Sequence, residues 1–374
     1  MARSLQLSFP RVSYVGPGTV KSLGREAARL GSRALLVTGR RALREAGITE
    51  RLAGLLRGSG LRVELFEQAP PEPDVATVDA ARQVLRERGC DLVVEAGGGS
   101  AMDIGKAAAA LAFEEAPTAE FQHGREIVRP GLPHIAIATT AGTGAEVTRN
   151  SVLTDPAARL KGSIRGDGLM PTVSFTDAEL TLTCPPDVTA AAGIDALVQA
   201  IESFLSVHAI PTTEALSLGA VRLIAEHLPA AYEDGRNMEA RAAMAEGSYM
   251  AGLALANARL GAVHGLAHPI GLCYGLPHGV VCGALMPPVL RRNAPAVPAK
   301  WQALQWAMRG DPVEVMESLL ERLGLSRVLG PWPDPEWERR IISYTVSAGS
   351  SKANPAPVDE AYVRDVLEQV CTRR

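Results

Sequence analysis

The sequence has no CxxC pair, few aromatic residues, little net charge and no apolar N-terminal leader. Its cysteines, Cys90, Cys184, Cys273, Cys282 and Cys371, are scattered and odd in number, which points away from a disulfide framework and from a thiolate zinc site. Aromatic residues make up 4%, too little material for a platform that stacks bases. A formal net charge of -3 supplies neither a basic field for nucleic acid nor a strongly acidic tail. The opening MARSLQLSFP lacks the apolar core of a signal peptide. No uninterrupted apolar run reaches the roughly 18–20 residues of a membrane span. The expectation is a cytoplasmic protein of a reducing compartment, with neither nucleic acid nor membrane as partner.

What is present is ordinary globular composition, 47% hydrophobic and 21% charged over 374 residues, enough for two domains with separate cores. In the first half, SRALLVTG (32–39), LRVELFEQ (61–68), CDLVVEAGG (90–98) and LPHIAIATT (132–140) read as buried strands. Residues 41–57 and 75–88 between them carry helical spacing. Strands alternating with helices predict a doubly wound, Rossmann-like parallel sheet, an α/β domain over residues 1–184. From residue 185 the segments are long, rich in Ala and Leu and without strand alternation, which predicts an all-α domain over 185–374. The seam is TLTCPPD, where Pro185 and Pro186 end the extended chain and Asp187 can cap a helix. SAGSSKANPAPVDEAYV reads as an exposed loop before a short final helix.

Such a sheet binds ligands at the carboxyl ends of its strands. EAGGGSAMDIGK (95–106) follows a strand there and opens a helix. Gly97, Gly98 and Gly99 allow close backbone approach, Ser100 is placed to cap the helix, and Asp103 to complete a capping box. The free N–H groups of that helix start suit a pyrophosphate. This is not the GxGxxG fingerprint. TTAGTGAEVTRNS (139–151) brings Thr139, Thr140 and Thr143 to a second strand end, and two such clusters together predict a nucleotide cleft. The first strand ends VTGRR: Gly39 leaves room where NAD sites carry an acid, and Arg40 and Arg41 offer charge to a 2′-phosphate. NADP(H) is therefore expected in preference to NAD(H).

In GIDALVQAIES (193–203), Asp195 and Gln199 stand one helical turn apart and share a face. VHGLAH and LPHG then supply His264, His268 and His278. From these residues alone a metal site with an unusual glutamine, the remains of one, and a polar helix all stay open.

GGGSAMDIGK, TTAGTGAEVT, GIDALVQAIES, GAVHGLAHPIG and LPHG, in this order and spacing, resemble the iron-containing (group III) alcohol dehydrogenases over nearly the whole chain. The resemblance implies a dehydroquinate synthase-like architecture: a nucleotide-binding α/β domain, a helical domain, and a metal at the bottom of the cleft between them. It places the family's metal-ligating aspartate at Asp195 and its two later histidine ligands at His264 and His278. The family's second ligand, a histidine, falls on Gln199. His268 matches the residue beside the reacting carbon and nicotinamide. Gly98, Gly99 and Ser100 match the phosphate loop, Thr139 and Thr140 the paired threonines, and Lys161 the lysine beside the nicotinamide ribose. An acid that NAD-preferring members carry is replaced here by Gly39.

One carboxylate and two imidazoles still suit a divalent cation with an open position. Gln199 offers a neutral amide oxygen or a bond to a metal-bound water, and the loss of an imidazole predicts weak binding, with zinc favoured over iron. The expected reaction is metal-dependent hydride transfer between NAD(P)(H) and a small alcohol or aldehyde, with His268 relaying a proton. Pro269 is expected to turn His268 out of α geometry and into the cleft. Alternatives are maleylacetate reductase-like reduction of an unsaturated keto acid, dehydroquinate synthase-like chemistry, and a catalytically degenerate NADP-binding protein. His123, His134, His208 and His227 read as surface or packing residues. LQLSFP is expected to form an N-terminal strand at the edge of a homodimer.

Overall fold

A computed structural model describes residues 6–372. The strands of the first unit are, in chain order, β1 (Val12–Val15), β2 (Arg33–Gly39), β3 (Arg62–Ala69), β4 (Leu92–Gly97), β5 (His134–Ala138), β6 (Asn150–Asp155), β7 (Leu160–Arg165) and β8 (Val173–Thr176); Gly330–Pro331 and Cys371–Thr372 add a short two-stranded pair further on. Six of them make one parallel sheet in the order β1-β8-β5-β4-β2-β3. LVVEAG and HIAIA are buried at every residue, because helices cover both faces of a parallel sheet and leave no side of a central strand for polar residues. The edge strand β3 is only partly buried. From β2 the chain passes to β3 on one side, and then to β4 and β5 on the other. The sheet therefore reverses direction between β2 and β4, the place where such sheets open a crevice for ligands.

The described chain divides into two compact units after Thr183, except that Ala141–Thr143 group with the second. The second unit is helical, with Pro186–Leu205 at the heart of its core. This helix is long and apolar enough to cross a membrane by length and composition, yet 83% of its apolar window is buried. It tolerates Asp195, Gln199 and Glu202 because they meet one another's partners inside the protein.

Three expectations are corrected. Residues 41–57 form two helices, Ala42–Glu45 and Ile48–Gly58, rather than one. Of LQLSFP, Leu5 lies outside the described residues and residues 6–10 form no strand; the first strand is β1, paired with β8. The segment before the last helix is not simply exposed, because Asn354 is buried and exchanges amide bonds of 2.8 and 2.9 Å with Asn293.

His134 is a buried packing residue, one of the two cases expected for it, but it has a partner. Its Nδ1 lies 2.7 Å from Glu95 Oε1 on the neighbouring strand, with both side chains buried. His123, half exposed, lies 3.2 Å from Asp155. Close to Glu95, the wholly buried Lys106 donates to Ala145 O at 2.8 Å and Thr148 Oγ1 at 2.9 Å. Burial pulls Lys106 down to about 8, while the carboxyls of Asp103, Glu95 and Glu146 work to keep its charge. Replacing Lys106 with methionine leaves those acceptors and acids without their cation. The expected loss is about 1–3 kcal/mol of stability, the cost of a buried polar group deprived of its partner, read from urea unfolding midpoints at constant slope.

Candidate active site

The first unit assembles its polar residues at three adjacent strand ends. Gly39 ends β2 with Arg40 after it, Gly97 ends β4 with Gly98 after it, and Thr139 and Thr140 follow β5. Gly97 has φ 154°, and a Cβ there would stand 2.8 Å from Ala101 Cβ, so only glycine lets the strand turn this tightly into the helix Gly99–Ala110. No side chain caps that helix; its first N–H groups lack intrahelical partners, as at any helix start. The expected cap by Ser100 is not made. Its hydroxyl donates instead to Pro71 O. Asp103 does not complete a capping box either: it is buried beneath the loop and pushed up to about 6 by burial.

Lys161, on β7, forms an ion pair with Glu72. Thr143 groups with the second unit. Arg40 is exposed, its Nε 3.4 Å from Gln68 O; Arg41 pairs with Glu45 one turn along.

In the second unit, three helices bring the remaining candidates together. Asp195, Gln199 and Glu202 follow one another at i, i+4 and i+7 along Pro186–Leu205 and so share one face. His264 and His268 lie one turn apart on Ala262–Tyr274, and His278 opens His278–Asn293. Asp195 Oδ1 stands 3.4 Å from His264 Nε2 and 3.7 Å from His278 Nε2. That oxygen is buried and has no hydrogen-bond partner. Its twin, Oδ2, accepts from Gln199 Nε2 at 2.9 Å. Gln199 therefore spends its amide nitrogen on the carboxylate, and its own oxygen is left buried and unpaired.

Two groups absent from the sequence expectations complete the arrangement. Glu202 Oε2 lies 2.7 Å from His264 Nδ1, and Oε1 accepts from Val263 N at 2.6 Å. A proton on Nδ1 directed at Glu202 leaves Nε2 of His264 facing Asp195. Cys282, one turn after His278, places its sulfur 3.5 Å from His278 Nε2 and 4.0 Å from His264 Nε2. The spacings Asp195 to Glu202 and His278 to Cys282 were visible signals, since i+7 and i+4 return to the same face of a helix.

Burial alone would raise Asp195, but His278 and His264 outweigh it and hold the carboxyl below its ordinary range. Burial opposes a charge on His264; Cys282, Asp195 and Glu202 overcome that and hold the ring well above the ordinary imidazole value. Burial pushes the Cys282 thiol up to about 12. A buried carboxylate oxygen without a donor, facing two imidazole nitrogens, is what a divalent cation satisfies, so the residues fit a metal.

His268 borders this cluster, its ring centroid 5.4 Å from that of His278 and its Nδ1 3.2 Å from the Tyr344 hydroxyl. Pro269 does not turn it out of the helix. Proline removes the N–H that would bond Gly265 O, and Thr345 Oγ1 donates to that carbonyl instead at 3.3 Å, so the helix continues. His264 and Asp195 are buried, whereas His278 and His268 are part-exposed and form the accessible side.

Residues 10–178 match the family described as iron-containing alcohol dehydrogenase, and residues 189–331 match its C-terminal family. The chain belongs to the iron-containing alcohol dehydrogenase family. As a member it is an oxidoreductase acting on CH–OH groups, and the family implies a metal, NAD(H) and small alcohols or aldehydes. Long-chain-alcohol dehydrogenase 1 of Geobacillus thermodenitrificans is 35% identical over 97% of this chain and 96% of its own length. NAD-dependent methanol dehydrogenase of Bacillus methanolicus is 37% identical over 76% of this chain and 75% of its own. The crystal structure of a 1,3-propanediol oxidoreductase superposes with a TM-score of 0.92 at 32% identity, covering 98% of this chain and all of that one. That structure shares this chain's fold, a doubly wound sheet followed by a helical region.

Outer partners of metal ligands govern affinity because they fix tautomer and ring orientation. Replacing Glu202 with glutamine is expected to weaken cation binding about 10–100-fold while the protein stays folded. Titration calorimetry with zinc, beside a thermal melt, measures both; unchanged affinity would remove Glu202 from the site.

Proposed function

We propose that this family member is a cation-dependent alcohol dehydrogenase and aldehyde reductase that prefers NADP(H), with zinc held by Asp195, His264 and His278. The observation that carries the reading is the unpaired, buried Asp195 Oδ1 between two imidazole nitrogens at 3.4 and 3.7 Å. A bound divalent cation polarises a carbonyl oxygen, or lowers the pKa of an alcohol, and NADPH supplies the hydride.

The chain's own groups do the rest. Gln199 holds Asp195 Oδ2 so that Oδ1 faces the imidazoles. Glu202 fixes His264. His268, aligned by the Tyr344 hydroxyl through Nδ1, presents Nε2 to take or return the alcohol proton. Gly98, Gly99, Ser100, Thr139 and Thr140 receive the cofactor phosphates, and Arg40 and the space at Gly39 receive the 2′-phosphate. Asp103 supports the loop from beneath, and Lys161 borders the ribose. The homodimer belongs to the same proposal and is read by sedimentation.

Support for NADP(H) comes from the arginine pair at the β2 end, where an acid is missing. The test strips metal by chelation, restores zinc, iron(II) or manganese, and follows oxidation of NADPH and NADH with a panel of aldehydes. Zinc-restored turnover favouring NADPH is expected, and the change of Arg40 to alanine should lower that preference roughly 10–100-fold, the worth of one charge-assisted hydrogen bond. Metal-independent turnover confined to unsaturated keto acids would replace this reading with the maleylacetate reductase type. NADPH binding without turnover would leave a nucleotide-binding protein.

A further inference from the structure

We propose that Cys282 is a thiolate ligand of the cation, giving an Asp–His–His–Cys set that selects zinc; this rests on the metal reading above. Four donor atoms, from Asp195, His264, His278 and Cys282, lie within 4.8 Å of one another. A tetrahedral cation with bonds of about 2.0–2.3 Å to oxygen, nitrogen and sulfur sets donor-to-donor edges of roughly 3.3–3.6 Å. Four of the six edges measure 3.4 Å for Asp195–His264, 3.7 Å for Asp195–His278, 3.5 Å for Cys282–His278 and 4.0 Å for Cys282–His264, and the other two, Asp195–Cys282 and His264–His278, lie within 4.8 Å. The sulfur thus takes a fourth corner of the tetrahedron and is no mere neighbour of a three-ligand site.

Sequence and geometry agree on why. Gln199 stands where an imidazole would be the better donor, and its nitrogen is engaged with Asp195. Cys282 enters from another helix, one turn after His278, so that one helix contributes both a nitrogen and a sulfur to the same face. It is fully buried, which shields a thiolate from oxidants. On coordination the S–H bond breaks and a sulfur–metal bond forms; the proton leaves to solvent and no electron is transferred. A thiolate in place of a nitrogen shifts the site toward zinc, since soft sulfur favours zinc among these candidate ions. The part-exposed side of His278 and His268 would be where a substrate oxygen approaches, and the bound cation would supply its polarisation.

The experiment is zinc X-ray absorption on the full-length protein loaded with one equivalent of zinc after chelation. The expected spectrum contains one sulfur at about 2.3 Å with nitrogen and oxygen donors at about 2.0–2.2 Å. Cys282→Ser and Cys282→Ala should each lose the sulfur shell while keeping bound zinc at reduced affinity. Zinc bound by the wild type through nitrogen and oxygen alone overturns the thiolate and leaves the metal reading standing. A sulfur shell that survives in both Cys282 variants also overturns it. If the wild type retains no zinc, or retains it equally after Asp195→Ala, the metal reading fails and the thiolate with it.

Discussion

Replacing Asp195 with alanine abolishes stoichiometric zinc binding and with it alcohol oxidation. Asp195 is the one anionic oxygen ligand of the proposed set, and its Oδ1 is the atom both imidazoles face. Changing a residue that merely orients a ligand costs about 10–100-fold in affinity; losing the carboxylate itself removes a metal bond and the charge that offsets the cation, so a drop beyond about a thousandfold is expected. Folding is a separate question. The variant leaves Gln199 Nε2 without its acceptor, at about 1–3 kcal/mol for a buried polar group deprived of its partner. Equilibrium dialysis with metal analysis, turnover assays and far-ultraviolet circular dichroism separate the two effects. A folded Asp195→Ala protein that keeps zinc and activity would remove this residue from the centre of the account.

Gly279→Ala is expected to weaken the same site from outside the ligand set. Gly279 follows His278 at the start of its helix, and a Cβ there would lie 2.0 Å from the backbone oxygen of Ala191. Backbone cannot rotate aside as a flexible side chain can, so the two helices must separate. Asp195 is one turn beyond Ala191, and His278 is the neighbour of Gly279. The separation therefore opens the 3.7 Å approach of His278 to Asp195. Overpacking of this kind costs about 1–3 kcal/mol, and zinc affinity should fall roughly tenfold or more, as when a ligand's supporting partner is lost. Gly271→Ala is the control. The nearest atom to its added Cβ is Leu276 O at 3.6 Å, an ordinary contact, so both stability and zinc binding should be kept. Equal behaviour of the two variants in thermal melts and zinc titrations would contradict the close-approach argument.

Much of the fold was legible in the chain, because fully buried parallel strands announce themselves as apolar runs, and β2, β4 and β5 were readable for that reason. Asp195, His264 and His278 sit on three separate helices, so no local spacing joins them and only the family resemblance grouped them. The misreadings share a cause: partners supplied by distant segments. Ser100 looked like a cap because the carbonyl of Pro71 that takes its hydroxyl is far away in sequence. His134 looked idle because Glu95 lies on another strand. Pro269 looked like a helix break because the hydroxyl of Thr345, which answers the freed carbonyl, comes from another helix. Glu202 and Cys282 carried a local signal in their spacing, yet only the fold shows that both spacings aim at one point. The absence of any CxxC pair argued against a thiolate site; a single cysteine contributed to a mixed set leaves no such pattern.

In the second unit a carboxylate and two imidazoles converge on one point, the place proposed for the cation. Crystals of the protein grown with zinc, with diffraction recorded on both sides of the zinc absorption edge, locate the ion directly. The predicted map has one dominant anomalous peak within bonding distance of Asp195 Oδ1, His264 Nε2 and His278 Nε2. No peak there, with active protein in the same drops, would contradict it.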